Sequence, residues 1–280
     1  MTTLRFPRGR GGSRFFVYAT LIAFVAGSLF PFYWSFLVAS RDTGMLSDHL
    51  PSLLPGGNFW ANAVRVFDAV PFWKALGNSV IVAGTVTLTT VLFSALAGFA
   101  FAKMRFRGSN GLFVFIVVTL AVPTQLGVIP LFIMMSELGW AGHLQAVIVP
   151  NLVTAFGVFW MRQYIVDAVP YELIEAARVD GCSVFGTFVH VCLPAIRPAA
   201  AVLAMFTFMM SWNDFLWPLI VLDAGNPTVQ VALEKLQSGH YVDYSLVLAG
   251  TTLATIPVLI VFLLLGRQIV SGIMQGAVKG

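Results

Sequence analysis

The sequence predicts an all-α, polytopic membrane protein with six transmembrane helices and both termini in the cytoplasm. Hydrophobic residues make up 58% of the 280 residues and charged residues only 10%, with a mean hydropathy of +0.87. A soluble domain carries about a quarter charged residues; so few charges do not cover a soluble surface, and the apolar excess faces lipid. Six stretches between consecutive charges, one interrupted by a single Asp, reach the roughly 20 apolar residues that a membrane-crossing helix needs. Lys and Arg then gather on one side of the spans so placed.

The predicted spans are 15–40, 77–103, 110–135, 143–162, 198–222 and 246–267. The first is longer than the 7–15 residues of a signal-peptide core, and further spans follow, so it reads as a retained helix. Tail 1–14 holds Arg5, Arg8, Arg10 and Arg14; the second-to-third connection holds Lys103, Arg105 and Arg107; loop 163–197 with its edge holds Arg162, Arg178 and Arg197; tail 268–280 with its edge holds Arg267 and Lys279. These twelve face only four on the other side, Arg41, Arg65, Lys74 and Lys235. The richer side is predicted to be cytoplasmic. This asymmetry also accounts for the sequence pI near 9.3 without a nucleic-acid partner. Segment 41–76, with Pro51, Pro55, Trp60, Phe67, Phe72 and Trp73, reads as an ordered cap at the outer membrane surface, and Gly225-Asn226-Pro227 marks a turn in the other outer loop. Pro123, Pro130, Pro150 and Pro257 lie inside spans, where neighbouring helices tolerate them. No internal repeat is visible. Cys182 and Cys192 share a loop on the reducing side and read as two small buried hydrophobes rather than a disulfide.

Loop 163–197 is the most informative segment. Pro170 suits the first turn of a helix, Glu172 and Glu175 place negative charge near that turn, and Gly181 is a natural stop. The reading is a short helix over 170–180, then a second apolar stretch over 184–191 that ends at Leu193-Pro194. Ala176 and Ala177 offer a small-residue face that another protein can approach closely. On pattern alone, a stable hairpin between two spans explains the loop as well as a docking surface does.

Glu175-Ala176-Ala177, three residues, Gly181, nine residues, then Val191-Cys192-Leu193-Pro194 resembles the EAA loop of ABC importer permeases, with Val191 in the usual Ile position. Met161-Arg162, Pro170, Trp212-Asn213-Asp214-Phe215, Ile256-Pro257 and the tail Gly276–Gly280 are similar to its carbohydrate, maltose-type branch. The resemblance implies that the loop is a coupling helix docked in a cleft of a separate ATPase. Glu175 would meet a basic group there, Ala176 and Ala177 would permit close packing, Gly181 would make the turn, and Glu172, Arg178, Asp180, Leu193 and Pro194 would complete the surface. Lys279 and Gly280 would approach the ATPase dimer. It further implies a second homologous permease chain, two P-loop ATPase subunits holding ATP and magnesium, an extracytoplasmic solute-binding protein, and a place in the bacterial cytoplasmic (inner) membrane. No cofactor or catalytic residue is expected in this chain. The cargo would be a sugar or oligosaccharide, with glycerol phosphates and polyols as the alternative. Independently, none of the four lysines follows a glycine, so the chain lacks the Gly-Lys pair of a P-loop.

Asp214 is the only Asp, Glu, Lys or Arg in the interior of a predicted span. It lies about 24 Å along the fifth helix at 1.5 Å per residue, where a charge is costly unless it faces the bundle interior or water. With Trp212, Asn213 and Trp217 it offers the polar groups and flat apolar faces that sugars need. The same residues also suit bonding to neighbouring helices or capping a broken helix. The histidines show no metal-ligand spacing. An ion-gradient-driven transporter is expected to carry more intramembrane charge or repeated broken helices, and a non-transport scaffold leaves the EAA spacing unexplained.

Overall fold

A computed structural model describes residues 11–42, 53–238 and 241–277 of the chain; Lys279 and Gly280 lie outside them, as do Pro51 and the first three arginines. The described residues form helices and no strand. In chain order these are α1 (Gly11–Ala39), α2 (Phe59–Ala69), α3 (Phe72–Lys103), α4 (Ser109–Thr119), α5 (Val128–Glu137), α6 (Gln145–Ile148), α7 (Ala155–Ala168), α8 (Tyr171–Val179), α9 (Val184–Thr187), α10 (Leu193–Ala195), α11 (Arg197–Trp212), α12 (Leu216–Val221), α13 (Val229–Lys235) and α14 (Tyr244–Ala277). They fall into two units, Met1–Ala69 with Leu236–Leu253, and Val70–Lys235 with Ala254–Gly280.

In the first unit, α1 exposes apolar side chains along most of its length, as a helix bathed in lipid does, and buries only its last turn at Leu37, Val38 and Ala39. The carbonyls of that turn find a partner on α2. Asn62 Nδ2 donates to the carbonyls of Ala39 and Arg41, each at 2.9 Å, which satisfies groups that a helix end leaves open. Gly56 fits against Ser40, where a Cβ would stand 2.3 Å from the Ser40 carbonyl oxygen. Arg65 pairs with Asp243 at 2.5 Å.

In the second unit, α3 is the central helix and packs most extensively against α7 and α11. Lipid supplies no hydrophobic drive between helices, so small residues that let backbones approach take its place. Here they are Ser94 and Gly98 on α3, four residues apart, facing Gly157 and Met161 on α7, also four apart. A Cβ at Gly98 would stand 2.8 Å from the Met161 Cβ and 2.8 Å from the Arg162 nitrogen, and one at Gly157 would stand 2.3 Å from the Ser94 Oγ. Around this crossing gather Ala95, Phe99, Ala102, Met161, Ile165, Ala199 and Leu203, and Trp160 Nε1 donates to the Ala199 carbonyl at 3.1 Å. A second cluster, Val82, Val86, Met135, Ala146, Val147, Trp217 and Val221, joins α3, α5, α6 and α12. Beside it the 223–229 loop is tied down by polar bonds. Asn78 Nδ2 donates to Asn226 Oδ1 and the Pro227 carbonyl, both at 2.9 Å, Lys74 Nζ to the Gly225 carbonyl at 2.7 Å, and the Val229 N–H to Ser79 Oγ at 2.8 Å.

Among the described residues three helices are long and apolar enough to cross a membrane, Arg14–Ala39, Phe72–Lys103 and Tyr244–Gly266, or up to five if each of two bent pairs counts as one span. The three other predicted spans are interrupted. Span 110–135 breaks after α4, with 92° between Ser109–Thr119 and Thr124–Glu137, the segment of a 3₁₀ turn and α5, because Pro123 donates no backbone bond and holds an extended conformation. Span 143–162 divides into α6, a 3₁₀ turn at Val149–Asn151 that contains Pro150, and α7. Thr154 caps α7 by accepting from the Gly157 N–H at 3.1 Å, and the helix runs on past Arg162 to Ala168. The charge that ended the predicted span therefore does not end the helix. Span 198–222 breaks between α11 and α12 at residues 213–215. Helix α14 continues beyond the predicted end at 267 to Ala277.

The α3–α7 crossing carries a direct test. Gly98→Ala forces atoms together and is expected to cost about 1–3 kcal/mol, the range for overpacking. At Gly84, also on α3, a Cβ meets nothing within 4 Å, so Gly84→Ala is expected to be neutral or to gain roughly 0.5–1 kcal/mol of helix stability. Thermal melts of the two purified variants check this, and a Gly98→Ala melt at or above the parent's would refute the close crossing.

Candidate functional site

The segment from Val169 to Ile196 folds as a hairpin of short helices, each end of which has a local cause. Pro170 precedes α8 in extended conformation, φ −58° and ψ 150°. It caps the helix from outside rather than occupying its first turn as predicted. Glu172 sits in the first turn and Arg178 in the last, each on the side that the helix dipole favours. At the far end Gly181 has φ +79°, a left-handed conformation that costs a residue with a Cβ about 1–2 kcal/mol. The Cys182 N–H donates to the Ala177 carbonyl at 2.9 Å and the Gly181 N–H to the Arg178 carbonyl at 3.0 Å, which together make a Schellman closure. Ser183 then caps α9, its Oγ accepting from the Gly186 N–H at 3.0 Å, a start signal that the reading of 184–191 missed. Phe188–Cys192 forms a wider π turn, and Pro194 lies in the short α10 that follows.

The hairpin is held by its apolar side. Ile174, Phe188, Cys192 and Ile196 enter the cluster built by Phe99, Ala102, Ile165, Val169 and Leu203, and the Phe99 and Phe188 rings lie 5.5 Å apart. Tyr171 Oη donates to the Ala102 carbonyl at 3.0 Å, and Lys103 Nζ stands 4.6 Å over the Tyr171 ring. Helix α8 is thereby fastened to the end of α3.

Its other side is open. Glu172, Leu173, Glu175, Ala176, Arg178, Val179 and Asp180 are exposed, and so are Gly181, Leu193 and Pro194. Val179, 88% exposed, is a large apolar side chain with almost no cover. Ala177 differs from its sequence reading: it lies three residues from Ile174, on the same helical stripe, and faces inward with it. The small-residue face offered outward rests on Ala176. The exposed Val179, Val184 and Phe185 add an apolar part to that face which the motif did not announce; their exposure depends on which way α8 and α9 turn against α3. The cysteines also divide. Cys192 is buried as expected, whereas Cys182 is exposed, because the Schellman turn carries it past the helix end. Burial pushes the Cys192 thiol up to about 11, against the opposing pull of the Lys103 ammonium.

The polar residues predicted within the fifth span sit at the break between α11 and α12. Asn213 is exposed and its Nδ2 donates to the Met209 carbonyl at 2.8 Å. Asn213 thus caps the end of α11. Asp214 is half-buried, two residues before the start of α12. The two tryptophans lie in the core instead. Trp212 is 2% exposed and stacks on Phe208 at 5.5 Å, and Trp217 is 7% exposed with its Nε1 donating to the Ala146 carbonyl at 3.0 Å. Among the described residues no group of three or more His, Cys, Asp or Glu is placed to hold a metal ion.

The described residues thus form a helical membrane chain with a packed core and a capped hairpin that turns an acidic and apolar face outward. Residues 90–275 match the family described as binding-protein-dependent transport system inner membrane component, and the chain belongs to it as a membrane permease subunit of an ABC importer. In this family ATP hydrolysis falls to a separate ATPase subunit, and a solute-binding protein is a further partner. The chain is 34% identical to the arabinooligosaccharides transport system permease protein AraQ of Halalkalibacterium halodurans, over 92% of this chain and 93% of that one. It is 34% identical to the lactose transport system permease protein LacG of Rhizobium radiobacter, over 93% of each. It is 31% identical to the sn-glycerol-3-phosphate transport system permease protein UgpE of Salmonella typhi, over 95% and 98%. The crystal structure of a bacterial ABC transporter involved in the import of the acidic polysaccharide alginate shares the fold, with a TM-score of 0.77 at 23% identity, over 94% of this chain and 99% of that one.

The packing of the hairpin fixes how its two thiols react. At pH 8 a maleimide is expected to modify Cys182 in the folded chain and to reach Cys192 only after unfolding, since that thiol is enclosed and stays protonated well above pH 8. Equal rates at the two positions, read by mass spectrometry, would show that the hairpin is not packed on α3 as described.

Proposed function

We propose that the chain imports a carbohydrate across the bacterial cytoplasmic membrane. It crosses the membrane six times with both termini inside, and pairs with a second, homologous permease chain. Two P-loop ATPase subunits, which hold ATP and magnesium, drive it, and an extracytoplasmic solute-binding protein delivers the cargo. The observation that supports this most is the hairpin, one side locked into the α3–α7–α11 core and the other side exposing Glu172, Glu175, Ala176 and Val179. Protein cores are close-packed and transmit displacement rather than absorbing it. When the ATPases close on ATP, a push on α8 passes through Ile174 and Phe188 to all three helices together. The bundle then switches from inward-facing to outward-facing, and hydrolysis resets it. Glu175 meets a basic group in the ATPase cleft, Ala176 sets the distance of approach, and Lys279 and Gly280 extend the contact from the C-terminal tail.

For the solute, the names of the saccharide permeases above support a sugar or oligosaccharide. The glycerol phosphate relative supports a second reading, a polyol or its phosphate. Asn213 and Asp214, at the break in the fifth helix, are the polar groups we assign to the translocation path, with Trp212 and Trp217 framing them from the core. A ligand screen on the solute-binding protein that serves this permease separates the two cargoes.

Glu175→Lys is expected to abolish recovery of the ATPase when the tagged chain is purified from membranes, while the chain still inserts and folds. Undiminished recovery would remove Glu175 from the docking surface. Asn213→Ala and Asp214→Asn are expected to reduce solute uptake at least roughly tenfold, the effect of about 1.4 kcal/mol, and to leave ATPase recovery intact. Normal uptake by both variants would take these residues out of the path.

A further inference from the structure

A cavity of about 380 Å³ lies between the end of α3 and the hairpin, lined among others by Lys103, Arg105, Tyr171, Glu175, Arg178 and Cys182. Three of these are cations and one is a carboxylate. Lys103 is only 4% exposed. Its ammonium has a long bond to the Val166 carbonyl, at 3.4 Å, and the face of the Tyr171 ring. Among the described residues no carboxylate lies within ion-pair distance of Lys103, Arg105 or Arg178. Asp167 and Glu172 act on Lys103 from further off, but both are exposed to solvent and neither lines the cavity. Taking an ammonium out of water without a partner anion is unfavourable, and an anion in the cavity offsets that. The two guanidinium groups add paired donors of the geometry that phosphate oxygens accept. The volume falls in the range of small-ligand sites, about 300–1,000 Å³. The cavity also lies where a predicted span ends on the side rich in Lys and Arg, the level at which basic pockets meet anionic headgroups.

We propose that this cavity binds a phosphate group, and that the group is the phosphodiester of an anionic lipid headgroup. Glu175 in the lining disfavours a dianion more than a singly charged diester. The bound phosphate bridges Arg105, just beyond α3, to Arg178 on α8, so the lipid braces the hairpin that couples the permease to its motor. The inference concerns the hairpin's setting and does not depend on which solute is carried.

Cys182 reports on the site. The test measures the rate at which an uncharged maleimide modifies Cys182 in the full chain, held in nanodiscs of phosphatidylcholine alone or of phosphatidylcholine with phosphatidylglycerol, at fixed ionic strength. A surface of anionic lipid lowers the thiolate fraction of any nearby thiol. A control thiol, Val179→Cys in a Cys182→Ala chain, exposed and outside the cavity lining, therefore measures that background. The expected result is several-fold slower modification of Cys182 with phosphatidylglycerol, beyond the change at the control, and loss of that protection in Arg105→Gln and Arg178→Gln. Both arginines are exposed, so these variants are expected to fold. Protection by inorganic phosphate in phosphatidylcholine, with none from phosphatidylglycerol, keeps the phosphate site and overturns the lipid as its source. No protection from either, equal slowing at the control, or protection that appears only when ATPase subunits are added overturns the proposal.

Discussion

The second unit depends on how closely α3 approaches α7. Two pairs of residues four apart, Ser94 with Gly98 and Gly157 with Met161, bring the backbones together at a distance that excludes another Cβ. In lipid this closeness is what a helix pair has in place of the hydrophobic effect. The crossing sets the position of Phe99 and Ala102 on one helix and of Ile165 and Val169 on the other. Those four side chains form the surface on which the hairpin rests. A wider crossing would separate them and leave Ile174 and Phe188 with nothing shared to fill.

The hairpin uses that surface to stay stiff in spite of its size. Helix α8 spans nine residues, and an isolated helix of that length is marginal in water. Its order comes from outside: a proline before it, a Schellman closure after it, Tyr171 bonded back to Ala102, and Ile174 in the core. The acidic residues and Val179 can stay exposed because the opposite stripe supplies the stability. The outward face is kept exposed without being spent on the chain's own packing.

The interrupted helices follow from the same setting. Broken backbone at membrane depth is tolerated where it is buried in protein or meets water, and two of the breaks carry side-chain bonds to the open groups. Asn213 bonds the Met209 carbonyl at the end of α11, and Thr154 caps α7. Broken helices are equally a mark of ion-driven transporters, so geometry alone does not separate the two classes. Membership of the binding-protein-dependent family does.

Much of this was legible in the linear sequence because it depends on composition and on short-range spacing. The lipid-facing character, the long spans of α1, α3 and α14, the hairpin with its stop at Gly181, and the resemblance carried by Glu175 to Pro194 needed no tertiary information. The spans around Pro123 and Pro150 were legible only as apolar length, since hydropathy measures how greasy a stretch is and not whether its backbone bonds are continuous. Charge spacing likewise ended a span at Arg162 where the helix does not stop. Which side a residue faces was decided by the fold. Ala177 turns inward beside Ile174, Trp212 and Trp217 go to the core, and Cys182 emerges at the hairpin's turn, because each helix rotates to bury its best stripe on α3. The gathering of Lys103, Arg105 and Arg178 around one cavity belongs to the fold as well. Some seventy residues separate the end of α3 from α8 in the sequence, and only packing brings them together.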